Sequence, residues 1–208
     1  MIEDKVNFWE KEYNNLNNHI SINNTNNLPW DIKKHDKNLE ETLNTFNIKK
    51  GNVLEIGCGT GNDINFFCKN FFNVTGIDIS KTAIKKTYEK YKSFKNLKLI
   101  VGDINNGLPN DKFDLIYDRG CLHGNPELIK NIFKKFYNIL NKDGKIIIIS
   151  SNSNSQETIY ATPPKLNLLD LITSCDNYFK IKLIKEITFE LSEGYESVLG
   201  YLMVLEKK

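Results

Sequence analysis

Val53-Leu54-Glu55-Ile56-Gly57-Cys58-Gly59-Thr60-Gly61-Asn62-Asp63 is the stretch that decides how this chain reads. A short apolar run enters a loop with glycine at three alternate positions. It then continues into an amphipathic segment holding Ile64, Phe66, Phe67 and Phe71. That pattern predicts strand, tight turn and helix. Glycine in the turn lets the main chain approach a ligand with no Cβ in the way. The unpaired N–H groups at the start of the helix suit a polar or anionic ligand group. A glycine-rich turn alone does not say what it holds, so the neighbouring acids have to decide.

Two acids close the next two predicted strands: Asp78 after Val74-Thr75-Gly76-Ile77, and Asp103 after Leu97-Lys98-Leu99-Ile100-Val101-Gly102. Asp78 stands about 20 positions beyond Gly57, the separation expected of an acid that grips ribose hydroxyls from the following strand. A dinucleotide fold shares that much. Its glycine pattern, however, needs glycine or alanine where this chain has Asn62, and it has no use for Glu55 or for a third acid at Asp103. The set Glu55-x-Gly57-x-Gly59-x-Gly61, Asp78 and Asp103 resembles the class I S-adenosylmethionine (SAM)-dependent methyltransferases, over roughly positions 50–150 in motif order.

The resemblance implies an α/β, Rossmann-like fold: a mostly parallel seven-stranded sheet with a C-terminal antiparallel hairpin and helices on both faces. It implies SAM as cofactor and S-adenosylhomocysteine as product, with Glu55, Gly57, Cys58, Gly59, Gly61, Asp78, Ile79, Asp103, Ile104 and Asp118 at the cofactor site. Asp78 would accept from both ribose hydroxyls, Ile79 would lie against adenine, and Asp103 would accept from the adenine amino group beside the Ile104 main chain. Glu55 would belong to the network behind the amino-acid end. Leu28-Pro29-Trp30-Asp31 before the first strand resembles the thiopurine, thiol/halide and related small-molecule branch. Pro29 stiffens the point from which Trp30 is presented, so Trp30 is either a core anchor or a wall of the pocket. Arg119 and His123, in the loop Asp118-Arg119-Gly120-Cys121-Leu122-His123, are the catalytic candidates. Histidine titrates near neutrality and can serve as a base, though it could equally be a pocket wall. Arg119 could pair an acidic acceptor or brace the loop. Cys58 and Cys121 have no evident base beside them.

The remaining elements fit one domain. Residues 1–47 read as an N-terminal helical and lid segment, with helices near 3–13 and 35–46. Residues 48–150 form the SAM-binding core, and 151–208 supply a loop, a short helix near 166–174 and the closing hairpin. Eight of the fourteen residues 14–27 are Asn, from codon bias or because the stretch is a polar lid. The loop 151–158 is a second lid candidate. A helix over about 127–140 precedes a turn at Asn141-Lys142-Asp143-Gly144 and the apolar strand 145–150. The lysines at 81, 85, 86 and 90 read as a solvated helix face.

Bulk properties narrow the function. Lys+Arg 28 against Asp+Glu 26 leaves a net charge of +2, which gives no general pull on nucleic acid. Four cysteines without a CxxC pair and three histidines point away from a metal site and towards a reducing compartment. No secretion signal opens the sequence and no apolar run approaches ~20 residues, so the expectation is a cytoplasmic protein that does not engage membranes. The expected activity is transfer of a methyl group from SAM to an O, S or N nucleophile of a small molecule, by a monomer or weak homodimer. A protein-lysine methyltransferase is the alternative, since some carry a similar Asp-basic-Gly loop. A non-catalytic SAM-binding protein is the third reading.

Overall fold

The structure, a computed structural model, describes residues 2–14, 28–70, 72–123, 129–152 and 166–208. The Asn-rich lid candidate, the Gly124-Asn125-Pro126 part of the fourth-strand loop, the start of the helix expected from 127 and most of the second lid candidate lie outside those residues. Seven strands form one sheet in the order β3-β2-β1-β4-β5-β7-β6. They are β1 (Gly51–Ile56), β2 (Phe72–Asp78), β3 (Leu97–Val101), β4 (Phe113–Arg119), β5 (Leu140–Ser151), β6 (Phe179–Phe189) and β7 (Val198–Lys207). Neighbours from β3 through β5 run parallel. β7 enters antiparallel between β5 and β6. This is the expected Rossmann-like sheet with its closing hairpin.

Both faces of the sheet are covered because its central strands carry apolar residues at successive positions. Val53, Leu115 and Ile147 turn to one face, and their chain neighbours Leu54, Ile116 and Ile148 to the other. That two-sided burial is what continuous apolar runs in a parallel sheet encode. On the first face pack α2 (Lys37–Thr45) through Leu39 and Leu43, α3 (Asn62–Lys69) through Ile64 and Phe67, and α4 (Lys81–Tyr91) through Ile84. On the second face lie α5 (Ile129–Ile139) and α6 (Leu168–Cys175). Ile129, Ile132, Phe133 and Phe136 bury one stripe of α5 at helical spacing. Burying one such side chain contributes roughly 1.5–3 kcal/mol. Asp36 and Ser80 cap α2 and α4, accepting from Asn38 N–H at 2.8 Å and Ala83 N–H at 3.1 Å.

The turn expected at 141–144 is absorbed into β5. Leu140 already pairs with Phe113, and the register shifts before Leu115 meets Lys145. Asp143, at φ 63°, makes the irregularity inside the strand. The chain fills the sheet from β1 outward to β3, then returns to the other side of β1 for β4. Such a reversal leaves a crevice at the carboxyl ends of β1 and β4. Helix α1 (Ile2–Asn14) lies against α4, where Tyr13, Leu28 and Ala83 form a small core with Trp9 and Trp30 beside it. Among the described residues no helix is long and apolar enough to cross a membrane.

Candidate active site

A cavity of about 560 Å³ opens at that crevice, a size typical of small-molecule sites. Its floor is the turn after β1. Gly57 and Gly59 have φ of 61° and 52°, a backbone region that side chains disfavour. A Cβ on Gly57 would stand 2.6 Å from Cys121 Cβ, and one on Gly59 would stand 2.8 Å from the Tyr13 hydroxyl. The glycines are therefore required by the close packing of the β4 loop and of α1, as well as by the turn. Gly61, expected at the cofactor site, does not line the cavity. It turns the chain into α3 and lies against Thr87 of α4. Thr87 Oγ1 in turn donates to Gly59 O at 2.7 Å, so α4 holds the turn from behind.

Carboxylates dominate the polar wall. Asp78, at the end of β2, accepts from Gly59 N–H at 2.9 Å and Ser80 N–H at 2.8 Å. Burial outweighs those bonds and pushes its pKa up to about 6. Asp103 accepts from Asn105 N–H and Nδ2 through Oδ1, both at 2.8 Å, which leaves Oδ2 buried with no partner. Glu55 Oε2 is likewise buried and unpartnered. Burial, and then the charges of Asp63 and Asp78, drive the Glu55 carboxyl well above the usual range. Asp63, in the first turn of α3, is raised by burial to about 6 although Arg119 opposes the shift. Buried polar atoms are normally satisfied. Acceptors waiting on two sides of one cavity therefore suit a ligand that brings donors or positive charge to both. Ile79 and Ile104 line the same part of the cavity, as does Cys58. Burial raises the Cys58 thiol well above its ordinary value, so it is no nucleophile.

Asp118, Arg119 and His123 are each engaged by the protein itself. Asp118 is fully buried and does not line the cavity; its Oδ1 accepts from the N–H groups of Cys121 and Leu122 at 3.0 and 3.1 Å and so shapes the loop. Arg119 does line the cavity, yet its nitrogens are already engaged. Nε donates to Asp36 Oδ2 at 2.8 Å, and the other two nitrogens donate to the carbonyls of Trp30 and Glu190. Its guanidinium also lies 4.8 Å from the centre of the Phe189 ring. The brace, and not an ion pair with an acceptor, is what this geometry provides. His123 lines the cavity but accepts the Ser151 N–H through Nδ1 at 3.1 Å. Burial and the nearby Arg119 charge lower its pKa to about 4.

Trp30 is both anchor and wall. Its Nε1 donates to the Tyr13 hydroxyl at 3.3 Å, Trp9 meets it edge-on at 5.2 Å, and it lines the cavity. Asp31 accepts from Asn62 Nδ2 at 2.8 Å, so the residue that breaks the dinucleotide pattern ties the Pro-Trp-Asp segment to the glycine turn. The sequence reading placed a helix of the lid segment here but named none of its residues as lining the site. Phe8, Trp9 and Tyr13 cover the cavity mouth, and Glu10 accepts from Thr82 N–H and Oγ1 to hold α1 on α4. Lys86, read as solvated, reaches the Tyr13 carbonyl. Phe189 and Leu191, the far wall, were also missed. The aromatic run 8–13 was the only sequence signal for any of these.

The profile of a methyltransferase domain family matches residues 47–191. A malonyl-[acyl-carrier protein] O-methyltransferase of Ilyobacter polytropus is 28% identical over 84% of this chain and 69% of its own length. A probable thiol methyltransferase of Arabidopsis thaliana is 34% identical over 43% of this chain and 41% of its own length. A solved structure from work on the conversion of a disulfide bond into a thioacetal group during echinomycin biosynthesis shares the fold. It has TM-score 0.80 at 18% identity, over 98% of this chain and 91% of its own. With the family profile spanning well over half of its length and a cavity floored by the glycine turn and the β1–β3 acids, the chain belongs to the methyltransferase domain family, as a class I SAM-dependent methyltransferase.

Proposed function

We propose that this enzyme methylates a small molecule at O, S or N within the cavity bounded by α1, Trp30, the 118–123 loop and the Phe189–Leu191 wall. The observation that carries this reading is the cover over the strand ends. Helix α1 is fastened to α4 and closes on the glycine turn through Tyr13, whereas a macromolecular acceptor needs an open approach. Among the curated relatives, the probable thiol methyltransferase supports the same reading.

The acids of the cavity fit the cofactor. Asp103 Oδ2 is suited to the adenine amino group, Asp78 to the ribose hydroxyls, and Glu55 with Asp63 to the ammonium end. Ile79 and Ile104 give an adenine ring apolar contact. When bound, SAM supplies a methyl group already activated on a sulfonium sulfur. The protein's part is to hold the nucleophile in line, about 3–3.5 Å away, and to keep water out. Phe8, Trp9, Trp30, Phe189 and Leu191 provide the dry wall; Arg119 locks the segments that carry Trp30, Phe189 and Leu191, and Glu10 holds α1 on Thr82. In this scheme residues 1–47 supply the cover, 48–150 the cofactor floor and 151–208 the acceptor-side wall.

The test is release of S-adenosylhomocysteine with a panel of phenols, thiols, halides, amines and short carboxylic acids, run beside labelled-methyl transfer to whole-cell protein and RNA. We expect turnover in the small-molecule panel. Transfer confined to protein or RNA would replace this reading with the lysine-methyltransferase or RNA-enzyme alternative.

A further inference from the structure

His123 lines the cavity, yet its hydrogen bonds are the reverse of those a base needs. Ser151, at the end of β5, presents its main-chain N–H to Nδ1 at 3.1 Å, and its hydroxyl oxygen lies 3.2 Å from the same nitrogen. A main-chain N–H can only donate. Nδ1 must therefore keep its lone pair, and a neutral ring must carry its proton on Nε2. The ring is fixed as well as assigned. Phe189 of β6 meets it edge-on at 5.4 Å. On the side of Gly120, at φ 86°, a Cβ would lie 3.1 Å from Cε1 and 3.3 Å from Nε2. The charged group facing the ring from β4 is Arg119, which opposes a second proton. No hydrogen-bond partner for Nε2 is found among the described residues, and His123, Gly120 and Phe189 all line the cavity. The Nε2–H is then the hydrogen-bond donor that this ring can offer to a ligand in the cavity.

We propose that Ser151 locks His123 as a neutral Nε2–H donor, making His123 a specificity-determining contact and not the general base. The acceptor it selects is an uncharged small molecule with an apolar body and a hydrogen-bond-accepting atom, such as a carbonyl oxygen or ring nitrogen, near its nucleophile. This inference rests on the small-molecule reading for the acceptor's chemistry, but its first test does not. The protein is labelled with ¹⁵N-histidine and saturated with S-adenosylhomocysteine, and the ring nitrogens of His123 are followed by NMR from about pH 5.5 to 8. The expected result is an Nε2–H tautomer that does not titrate. A midpoint near 6.5, or an Nδ1–H tautomer, would overturn the proposal whatever the acceptor proves to be.

The second test uses any acceptor that the panel turns over. His123→Gln, which still offers an N–H, should keep kcat/KM within several-fold. His123→Leu should lose about tenfold, mostly in KM. The wild-type kcat/KM profile should show no limb that His123→Leu removes. A limb near pH 6.5 that both variants abolish would make His123 the base and overturn the proposal. Equal activity of His123→Leu and the wild type on every acceptor would overturn it as well. Failure of the whole panel to turn over would count against the small-molecule reading, while the tautomer measurement separately decides the state of His123.

Discussion

At the scale of single residues, the site is governed by carboxylates that burial keeps from ionising freely. Asp63 and Asp78 titrate near 6 in the folded chain, against an ordinary value of 3.8. Since the unfolded chain loses these protons first, the stability they contribute is full below about pH 4 and is lost as the pH rises through about 6. A ligand that brings positive charge to them favours the ionised form, so its binding expels protons and strengthens as the pH rises through the same window. Calorimetry should therefore find SAM bound several-fold more tightly at about pH 7.5 than at about pH 5.5. S-adenosylhomocysteine, which keeps the ammonium group, should show the same trend, and Asp63→Asn should flatten the slope. Equal SAM affinity at the two pH values would mean that these acids do not face the cofactor's charges.

At the scale of elements, one buried ion pair joins segments remote in sequence. Arg119 at the end of β4 reaches Asp36, the cap of α2, at 2.8 Å, with both side chains nearly inaccessible. Its other nitrogens hold the carbonyls of Trp30 and Glu190, so β4, the Pro-Trp-Asp segment and the end of β6 are tied at one point. Removing one member of a buried pair strands the other charge, and Arg119→Ala should cost about 3–5 kcal/mol in a denaturant titration. A loss below about 1 kcal/mol would show the brace to be dispensable. This network also marks where sequence reasoning stopped. The glycine turn, Asp78 and Asp103 were legible, because each is written in a few consecutive residues. The partnership of Arg119 with Asp36 spans 83 positions. Nothing local distinguishes that arginine from one waiting for a substrate, just as nothing local distinguishes Asp118 the loop cap from a cofactor ligand. The wall formed by Phe189 and Leu191 stayed hidden for the same reason. In a strand their alternation reads only as core.

At the scale of the whole molecule, the reversal of strand order between β1 and β4 collects the turn and its acids at one end of the sheet. The closing hairpin and α1 then add walls to that crevice. At the far edge, β6 carries exposed Lys180, Lys182 and Lys185, which discourage pairing with another strand. The central claim is that this cavity holds SAM against the β1–β3 acids. It is tested most directly by calorimetric titration of SAM into the wild-type protein and into Asp78→Ala, with circular dichroism to confirm that the variant is folded. Losing charge-assisted bonds worth roughly 1.5–3 kcal/mol each, the variant should bind at least about tenfold more weakly, with its secondary structure unchanged. No binding by the wild type, or the same affinity in a folded Asp78→Ala, would contradict the account.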